Sequence, residues 1–588
     1  MTSDERTQNI SSWWVGWRLA SYLRMRYVLS GLLWVVVIAF PVLTGLVLRE
    51  LFDRFSQGTN ASLRDIGWLL ATFVAVDVVR QALMWLAIAT WPEWWNSIQT
   101  LLRTNVLRSI LCSRGPAATR LPASSGEALN RFRDDVEDIL LLVDIWIDLT
   151  GDAVFAAIAL AIMYQTDSRV TLVVVLPMII IILVTRSLSD RIKATHSAAR
   201  SAAANVSEQL GGLFGGVLSL KVAGAEKAAI ARLREHNAVR RTLEVRARLL
   251  TDLLDTVTAS SVELSTGIVL LLVAPAMRSG QFTVGDLALF TAYVGWLAGL
   301  PRRVGRTMYR LRQTSVASGR LVRLLAAHED QHDLVAHNPI YLREPAPPAP
   351  PPAPIDAPFR RLDVDRVTAV HHSTGRGVTE VSLRIERGEL VVITGAVGSG
   401  KTTLVRAILG LLPIESGTLR WNDEIVVHPD TTLVPPRVAY AAQVPRLWSA
   451  SLRENLELGW PVGDGDIEES LRLARLYEDV AEMTDGLDTL VGPRGVRLSG
   501  GQLQRALAAR ALVRQPELLI VDDLSSALDV ETERALWDGL ISSDRTEPPY
   551  ALLVVSHRPN VLDRADRVVV LDHGRMLTRG SEVVSAGA

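Results

Sequence analysis

The chain has 588 residues, too many for a single hydrophobic core, and its length favours about two to four domains. Hydrophobic residues make up 48% of it and its mean hydropathy is +0.22, values that indicate membrane-spanning segments. The net charge of −1 gives no basic footprint for nucleic acid, and the single cysteine, Cys112, excludes a disulfide within the chain.

Six apolar runs predict a transmembrane domain. Residues 27–48 and 66–89 each exceed the roughly 20 residues that a helix needs to cross ~30 Å of hydrocarbon. Tryptophans crowd the stretches 11–17 and 91–96, where amphipathic rings suit the headgroup region. Four further spans are predicted at 143–164, 170–186, 256–277 and 284–301.

The positive charges predict the orientation. Segment 187–248 carries 11 Lys and Arg residues, whereas the short loops 165–169 and 277–283 carry one each. The positive-inside rule therefore places 187–248 and both termini in the cytoplasm, with the fourth and fifth helices projecting beyond the bilayer. Because arginine far outnumbers lysine, a pattern typical of a GC-rich bacterial gene, we predict a multi-pass protein of a bacterial inner (cytoplasmic) membrane.

The composition changes twice along the chain and predicts three regions. Residues 1–326 form a six-helix transmembrane domain with cytoplasmic helix extensions. Residues 327–358 form a Pro/Ala-rich linker that contains the extended run "EPAPPAPPPAPIDA". Residues 359–588 alternate short apolar strands with helical stretches, which is typical of an α/β domain. The fold class is a multidomain membrane protein, all-α in its first part and α/β in its last.

A glycine-rich loop between a buried strand and a helix start predicts a phosphate site. The stretch "ELVVITGAVGSGKTTLVRAILG" (389–410) fits G-x-x-x-x-G-K-[ST]. Backbone N–H groups of such a loop close around phosphate oxygens, and the helix dipole adds to the attraction. Lys401 would reach the β- and γ-phosphates, and the Thr402 hydroxyl would bind Mg²⁺. The nucleotide-binding residues predicted here are Gly395, Val397, Gly398, Ser399, Gly400, Lys401, Thr402 and Thr403.

Two more motifs indicate Mg²⁺ binding and anion binding. Asp522 ends the buried run "LLIVDD" and is placed to hold the same Mg²⁺, directly or through water. In "RGVRLSGGQLQRALAARAL" (494–512) a second helix begins behind a small-residue loop and offers a second anion site. One nucleotide cannot easily use two such cradles of one rigid domain, so we expect the second to serve a partner's nucleotide. Its residues are Ser499, Gly500, Gly501 and Gln502.

The motif series resembles the nucleotide-binding domain of ABC transporters. It comprises "GAVGSGKTT", "AAQ" ending at Gln443, "LSGGQ", "LLIVDD", "SSALD" and "VVSH" ending at His557. "SSGEALNRFRDDVEDI" (124–139) and "GQFTVGDLALFTAYV" (280–294) are similar to the family's exporter-type membrane domain. The resemblance implies that Gln443 binds Mg²⁺ and couples the nucleotide to the membrane helices. It also implies that His557 holds the γ-phosphate and that Asp529 connects two ATP sites.

The resemblance implies a half-transporter. Six helices and one ATPase domain must pair with a second such chain, so that each ATP and Mg²⁺ lies between one chain's phosphate loop and the other's LSGGQ. The implied partners are this second half-transporter, the lipid bilayer, and a small-molecule, lipid or peptide cargo, without nucleic acid. Coupling helices are expected near 111–123 and 209–217.

Three features depart from the family pattern. The residue after the magnesium-binding Asp is usually a Glu that positions or activates the attacking water, and here it is Asp523. Losing a methylene removes over ~1 Å of reach, which could slow hydrolysis about 10²-fold, unless backbone adjustment lets Asp523 serve. The adenine-stacking aromatic aligns with His371, so stacking is expected to be weaker. Leu490 and Pro493 stand in the loop before LSGGQ where glutamates are common.

An intact LSGGQ signature beside an impaired ATP site suggests an asymmetric heterodimer. This chain would supply the slow site and lend LSGGQ to a partner that carries a catalytic Glu. A homodimer with two slow sites is the alternative.

Acidic residues within the predicted spans allow two interpretations. They would favour a cationic, amphipathic cargo if they faced a central cavity, or they would form a solvated cytoplasmic helix face, which we prefer. Asp77 and Arg80 are spaced for an ion pair within one helix as readily as for a cargo contact. The other acids concerned are Asp144, Asp148, Asp152, Asp252, Asp255 and Glu263.

The sequence therefore predicts an ATP-driven exporter of an amphipathic or hydrophobic substrate that works by alternating access. Two alternatives stay open: an importer on the same scaffold, for instance of siderophores, and an ATP-gated regulatory or channel protein. The spans exclude a soluble ABC ATPase.

Overall fold

A computed structural model provides the structure of the chain. It describes residues 11–56, 63–112, 125–279, 281–297, 299–326, 328–343, 345–347, 357–371, 374–444, 446–492, 497–525, 527–541 and 550–577. Two compact units emerge. The helical unit comprises Met1–Leu107 and Pro122–Glu344, and the α/β unit comprises Arg108–Leu121 and Pro345–Ala588. The predicted combination of an all-α part and an α/β part is confirmed.

Twelve helices are described up to residue 334. A π-helical turn at Arg131–Asp135 joins the fifth to the sixth. The helices are α1 Ser12–Ala20, α2 Arg24–Ala39, α3 Pro41–Ser56, α4 Leu63–Cys112, α5 Ser125–Asn130, α6 Val136–Thr166, α7 Ser168–Gly215, α8 Val217–Val222, α9 Glu226–Arg278, α10 Val284–Leu297, α11 Leu300–Val322 and α12 Gln331–Leu334.

Three helical stretches among the described residues are long and apolar enough to cross a membrane: Arg24–Ser56, Arg64–Cys112 and Ala128–Thr166. They contain the first three predicted spans. The fifth and sixth predicted spans coincide in part with the shorter apolar helices Gly267–Arg278 and Val284–Leu297. The fourth lies on α7, where many side chains fall outside the described residues, so the total of six stays a prediction.

Helices α7 and α9 are much longer than a bilayer is thick. They have 48 and 53 residues, which corresponds to roughly 70–80 Å against ~30 Å of hydrocarbon. The chain turns between them at Gly216 and around Gly224, on either side of α8. The coupling segment expected near 209–217 covers the end of α7, and most of the one expected near 111–123 lies outside the described residues.

Carboxylates of α6 and the residues just before it pair with arginines of α11. Asp152 is only 4% exposed, and its Oδ2 lies 2.5 Å from Arg303 Nε. Asp138 accepts from Arg310 at 3.1 Å, and Asp135 accepts from Arg320 at 3.2 Å. A buried charge is tolerated only when it is paired.

The preferred interpretation of a solvated acidic face is therefore wrong for Asp152, which is buried, although Asp148 is exposed and Asp144 is partly exposed. Asp77 and Arg80 form the ion pair that their spacing allows, at 3.6 Å. Asp252 pairs with Arg248 at 3.1 Å. The side chains of Asp255 and Glu263 lie outside the described residues.

The first half of the predicted linker packs on the helical unit. Asn105 of α4 donates to the carbonyl oxygens of Leu334 and Ala336 at 3.0 and 2.9 Å. Tyr22 Oη donates to the Asn338 carbonyl at 3.2 Å, and the His337 ring lies 5.2 Å from the Tyr22 ring. We call residues 334–343 the strap, because these contacts tie it to α4 and to the turn between α1 and α2.

The α/β unit follows. Its elements are β1 Arg361–Val370, β2 Gly377–Glu386, β3 Leu390–Thr394, α13 Lys401–Ile408, β4 Ser416–Trp421, β5 Glu424–Ile425, α14 Pro429–Thr432, β6 Val438–Ala441, β7 Ala450–Ser451, α15 Leu452–Glu457, α16 Asp464–Leu473, α17 Tyr477–Glu482, β8 Leu490–Val491, α18 Gly500–Leu512, β9 Leu518–Asp522, α19 Val530–Leu540, β10 Ala551–Val555, α20 Pro559–Leu562, β11 Arg567–Asp572 and β12 Arg575–Met576.

A mostly parallel sheet organises this unit, with the strand order β12-β11-β3-β10-β9-β6. Strands β3, β9 and β10 are almost entirely buried, which explains their continuous runs of Val, Ile and Leu. An antiparallel sheet, β2-β1-β4-β5, packs with α13 over one face, while α15 to α19 cover the other. Ligands of such sheets bind at the carboxyl ends of the parallel strands.

The pair Asp152–Arg303 yields a stability prediction. Asp152→Leu leaves the guanidinium without its carboxylate, so we expect a loss of about 3–5 kcal/mol and a clearly lower midpoint of thermal unfolding in detergent. The double variant Asp152→Leu/Arg303→Met should recover most of that loss, because it removes both charges. Glu137→Leu, at an exposed position near the start of the same helix, is the control. Equal midpoints for Asp152→Leu and Glu137→Leu would contradict the role of the pair.

Candidate nucleotide site

The sheet order brings the predicted motifs to one edge. The glycine loop follows β3, Asp522 ends β9, His557 follows β10 and Gln443 follows β6. Strand β10 pairs in parallel with both β3 and β9, and β9 pairs with β6. All four segments therefore emerge at the carboxyl ends of adjacent strands.

The glycine loop needs its glycines for steric reasons. Gly395, Gly398 and Gly400 have φ of +142°, +84° and +101°, which side chains rarely adopt. A Cβ on Gly395 would lie 2.1 Å from the Leu571 carbonyl oxygen. One on Gly400 would lie 2.8 Å from the Val378 side chain. The backbone is thus held in a tight cradle with N–H groups available to an anion.

Lys401 and its neighbours lie around this cradle. The Lys401 ammonium donates to the carbonyl oxygens of Gly395 and Ala396 at 2.8 and 2.9 Å. Ser399 Oγ is buried and has no hydrogen-bond partner among the described residues. His371 Nε2 lies 3.4 Å from the Thr403 hydroxyl, so the imidazole sits beside the first turn of α13. Val397 is fully exposed at the tip of the loop.

Asp522 is the most buried carboxylate of the site, at 1% exposure. Tyr440 Oη donates to its Oδ2 at 3.4 Å, and Thr402 is a further hydrogen-bond partner. Burial raises the pKa of Asp522, while these two hydrogen bonds oppose the rise. Burial and the nearby Asp522 charge raise the pKa of Tyr440 to about 12, so the phenol stays protonated and donates.

Asp523 has an unusual backbone conformation. Its φ is +50°, and its N–H donates to the Val555 carbonyl at 3.0 Å. Gln443 Nε2 donates to Asp523 Oδ2 at 3.4 Å. Asp523 Oδ1 is buried and has no hydrogen-bond partner in the described part of the chain. The carboxylate is therefore fixed on one oxygen and has an unused acceptor on the other.

Two further predicted residues are His557 and Asp529. His557 is exposed directly beyond β10, at the same edge of the sheet. Asp529 is the N-cap of α19, where its Oδ1 accepts from the N–H groups of Glu531 and Thr532 at 3.1 and 2.9 Å. These hydrogen bonds lower the pKa of Asp529.

The signature segment forms a second helix N-terminus. Ser499 caps α18, and Ser499 and Gln502 bond reciprocally at 3.1 and 3.0 Å. Gln502 Nε2 also donates to Asp479 at 2.8 Å. The two glycines pack on the loop after β9: a Cβ on Gly501 would lie 3.0 Å from the Leu528 side chain. Leu490 belongs to β8, and Pro493 lies outside the described residues.

Sequence reasoning missed two buried polar side chains around this loop. Gln504 is 4% exposed, and its Oε1 accepts from the Ala527 N–H at 3.0 Å. Glu533 is 2% exposed, accepts from Ser525 Oγ at 2.9 Å and lies 3.6 Å from Arg558. The burial of Glu533 could have been predicted from the sequence, because Glu533 shares a helical face with the buried Leu536, Trp537 and Leu540.

The site fits Mg²⁺ bound with a nucleotide. The structure offers a buried carboxylate, a hydroxyl and an amide, together with an unused oxygen on Asp523. No cluster of three His, Cys, Asp or Glu residues that could hold a metal alone exists among the described residues. Mg²⁺ usually binds through one or two protein groups plus substrate phosphates, so this sparse donor set is the expected one.

Two family models match the chain. The model described as "ABC transporter transmembrane region" matches residues 27–299, and the model described as "ABC transporter" matches residues 378–526. The second range contains the glycine loop, the signature and Asp522.

Individual relatives agree with these models. A Staphylococcus aureus protein named for multidrug export, an ATP-binding/permease protein, is 29% identical over 52% of this chain and 50% of its own length. An ATP-dependent lipid A-core flippase of Burkholderia thailandensis is 40% identical over 34% of this chain and 33% of its own length. The chain thus spans half or less of the length of these relatives.

A solved structure extends the fold likeness over nearly the whole chain. A bacterial Atm1-family ABC exporter with ATP bound superposes with a TM-score of 0.75 at 19% identity and covers 95% of both chains. With both domain models matched in one polypeptide, the chain belongs to the ABC transporters and has the half-transporter architecture of the exporter type.

Proposed function

We propose that the chain is one subunit of an ATP-driven exporter that moves an amphipathic or hydrophobic substrate across the cytoplasmic membrane by alternating access. The observation that carries this proposal is the meeting of the glycine loop, Asp522 and Gln443 at one sheet edge in a chain with apolar helices. The relatives' names, multidrug export and lipid A-core flippase, support export of such cargo.

The residues divide the chemistry as follows. The loop from Gly395 to Thr403 binds the phosphates, with Lys401 turning from its present carbonyl partners toward the β- and γ-phosphate oxygens. Thr402, Gln443 and Asp522 would hold Mg²⁺, which would neutralise negative charge on the phosphates. His557 contacts the γ-phosphate, and His371 lies against the base. The oxygen of the attacking water forms a bond to the γ-phosphorus as the bond between that phosphorus and the β–γ bridging oxygen breaks; Asp523 takes the water proton, and ADP leaves with the bridging oxygen.

A second half-transporter completes each site. The signature of this chain, Ser499 to Gln502, presents a helix N-terminus that its own glycine loop does not need. It serves the nucleotide bound by the partner, and Asp529 lies at the same junction. We infer a heterodimer whose partner carries a Glu at the position of Asp523.

The impaired-site proposal rests on the geometry of Asp523. Its carboxylate already bonds Gln443, and its backbone has the left-handed conformation. Because the Asp523 side chain is one methylene shorter than Glu, its carboxylate lies farther from the attacking water. A misplacement of ~1 Å can lower the rate of hydrolysis about 10²-fold. This chain's own site is therefore slow, and its partner's site carries most of the turnover.

Asp523→Glu tests the slow site. We expect phosphate release by the complex to rise, by up to about 10²-fold at this site, because the longer carboxylate reaches the water. Turnover is measured for the purified chain alone and with a candidate partner, in lipid. Asp538→Glu, an exposed position on α19, is the matched control and should change nothing.

Two results separate the heterodimer from the homodimer. Low turnover of the lone chain, restored by a partner whose Glu is required, supports the heterodimer. If the lone chain dimerises and hydrolyses ATP briskly, and Asp523→Glu adds nothing, the slow-site proposal is wrong and a homodimeric pump replaces it.

Gln504 yields a second prediction. Gln504→Met leaves the Ala527 N–H without its acceptor, at a cost of about 1–3 kcal/mol, and loosens the loop that leads to Asp529. We expect kcat for ATP hydrolysis to fall about tenfold, while the affinity of this chain's own glycine loop for ATP stays unchanged. Gln504→Glu keeps an acceptor oxygen and should retain more activity.

Gln515→Met controls for the loss of a glutamine, since the exposed Gln515 side chain donates to Asp466 at the surface. A Gln504→Met variant that binds and hydrolyses ATP like the parent would contradict a positioning role for this amide. Thermal unfolding of each variant shows whether a lost rate reflects a lost fold.

A further inference from the structure

The helical unit contains a cavity of about 640 Å³, lined by both apolar and charged side chains, that the transport cycle proposed above does not use. It lies where the turn between α1 and α2, the middle of α4 and the strap meet. Ligand-binding cavities commonly have volumes of about 300–1,000 Å³. The residues that matter to its chemistry are Tyr22, Arg26, Glu93, Asn96 and Arg343.

The cavity has an excess of positive charge. Arg26 and Arg343 both pair with the same oxygen of Glu93, Arg343 at 3.1 Å. Their side chains are 51% and 80% exposed, so most of their N–H groups face solvent. Each guanidinium has five donors, and one carboxylate cannot use all ten. An anion with several oxygens would satisfy the remainder.

The surroundings indicate a membrane interface. Trp94 lies 4.9 Å from Trp91 and 5.0 Å from Tyr27, and this aromatic cluster begins where the apolar run 66–89 of α4 ends. Trp17 and Met25 are 71% and 72% exposed nearby in the sequence, on α1 and at the start of α2. Trp94 itself is buried, but Tyr341 and Leu342, which line the cavity, are exposed, and exposed amphipathic and apolar side chains beside a basic cavity are features of a headgroup-level site.

We propose that this cavity binds the phosphate group of an anionic membrane lipid. The two arginines would hold the phosphate oxygens, Asn96 is a further donor at the wall, and the acyl chains would run along the exposed apolar side chains beside the cavity. A cationic ligand is disfavoured, because the single carboxylate is already paired twice. The predicted orientation places this lipid in the cytoplasmic leaflet.

The site has a structural consequence because Arg343 belongs to the strap. The first half of the strap is held by Asn105 and Tyr22, through backbone carbonyls of residues 334, 336 and 338, and by His337, whose ring bonds the Arg18 carbonyl. A lipid phosphate shared by Arg26 and Arg343 would fix the far end of the strap as well. The anionic lipid would then stabilise the helical unit where the chain leaves it.

The test uses the full chain in detergent, and short-chain phosphatidylglycerol or phosphatidylcholine as the probe. We expect phosphatidylglycerol to be retained in native mass spectrometry and to raise the unfolding midpoint, and phosphatidylcholine to do neither. Arg343→Gln should weaken phosphatidylglycerol binding about tenfold, the value of one charge-assisted hydrogen bond. Arg472→Gln, which breaks an exposed ion pair of α16 with Glu468, is the matched control.

Glu93→Gln provides a test with the opposite sign. It removes the competing carboxylate, so we expect tighter phosphatidylglycerol binding, whereas Glu468→Gln should have no effect. Equal binding of both lipids, or weaker binding after Glu93→Gln, would overturn the proposal and leave a structural ion-pair cluster. Inorganic phosphate is the remaining arm: if it competes as strongly as the lipid, the site recognises free phosphate and the lipid proposal fails.

Discussion

The parallel pairing of β10 with both β3 and β9 is the constraint on which the nucleotide site depends. Because β10 is the single strand between the strand of the glycine loop and the strand of Asp522, the loop and the carboxylate meet across the end of one strand. Gln443 joins from β6 on the far side of β9. The contacts of Tyr440 with Asp522 and of Gln443 with Asp523 therefore join side chains at or just beyond adjacent strand ends, while Lys401 reaches the loop from the first turn of α13.

The charged side chains of the helical unit are subject to a different constraint, because a buried carboxylate needs an arginine as its ion-pair partner. The acids along α6 and its approach find arginines of α11, at Asp152, Asp138 and Asp135. These acids are therefore engaged in helix packing and supply no net negative surface for a cationic cargo. Among the acids that could bear on the charge of a cargo, this pairing accounts for Asp152, whereas Asp148 is exposed and Asp144 is partly exposed.

The sequence predicted the parts whose chemistry demands particular residues at particular spacings. The glycine loop was predictable because only glycine adopts φ near +100° at Gly400 without strain, and the α/β part followed from buried apolar strands. The sequence could not show that Asp152 is buried or that the strap packs on α4, because both depend on distant partners, Arg303 and Asn105. The Gln504–Ala527 bond was hidden for the same reason, although a glutamine among alanines on a buried helix face was visible.

The hairpin of α7 and α9 has a mechanical consequence. Two antiparallel helices of 48 and 53 residues, packed together, resist bending far better than either alone. Over roughly 70 Å, a tilt of a few degrees at one end displaces the other by several ångströms. The tip carries the exposed apolar side chains of Phe214, Leu218 and Val222. A small change of angle at the far end of the helix pair therefore displaces this exposed apolar tip by several ångströms. A displacement of that size would alter the contacts of any surface packed against the tip.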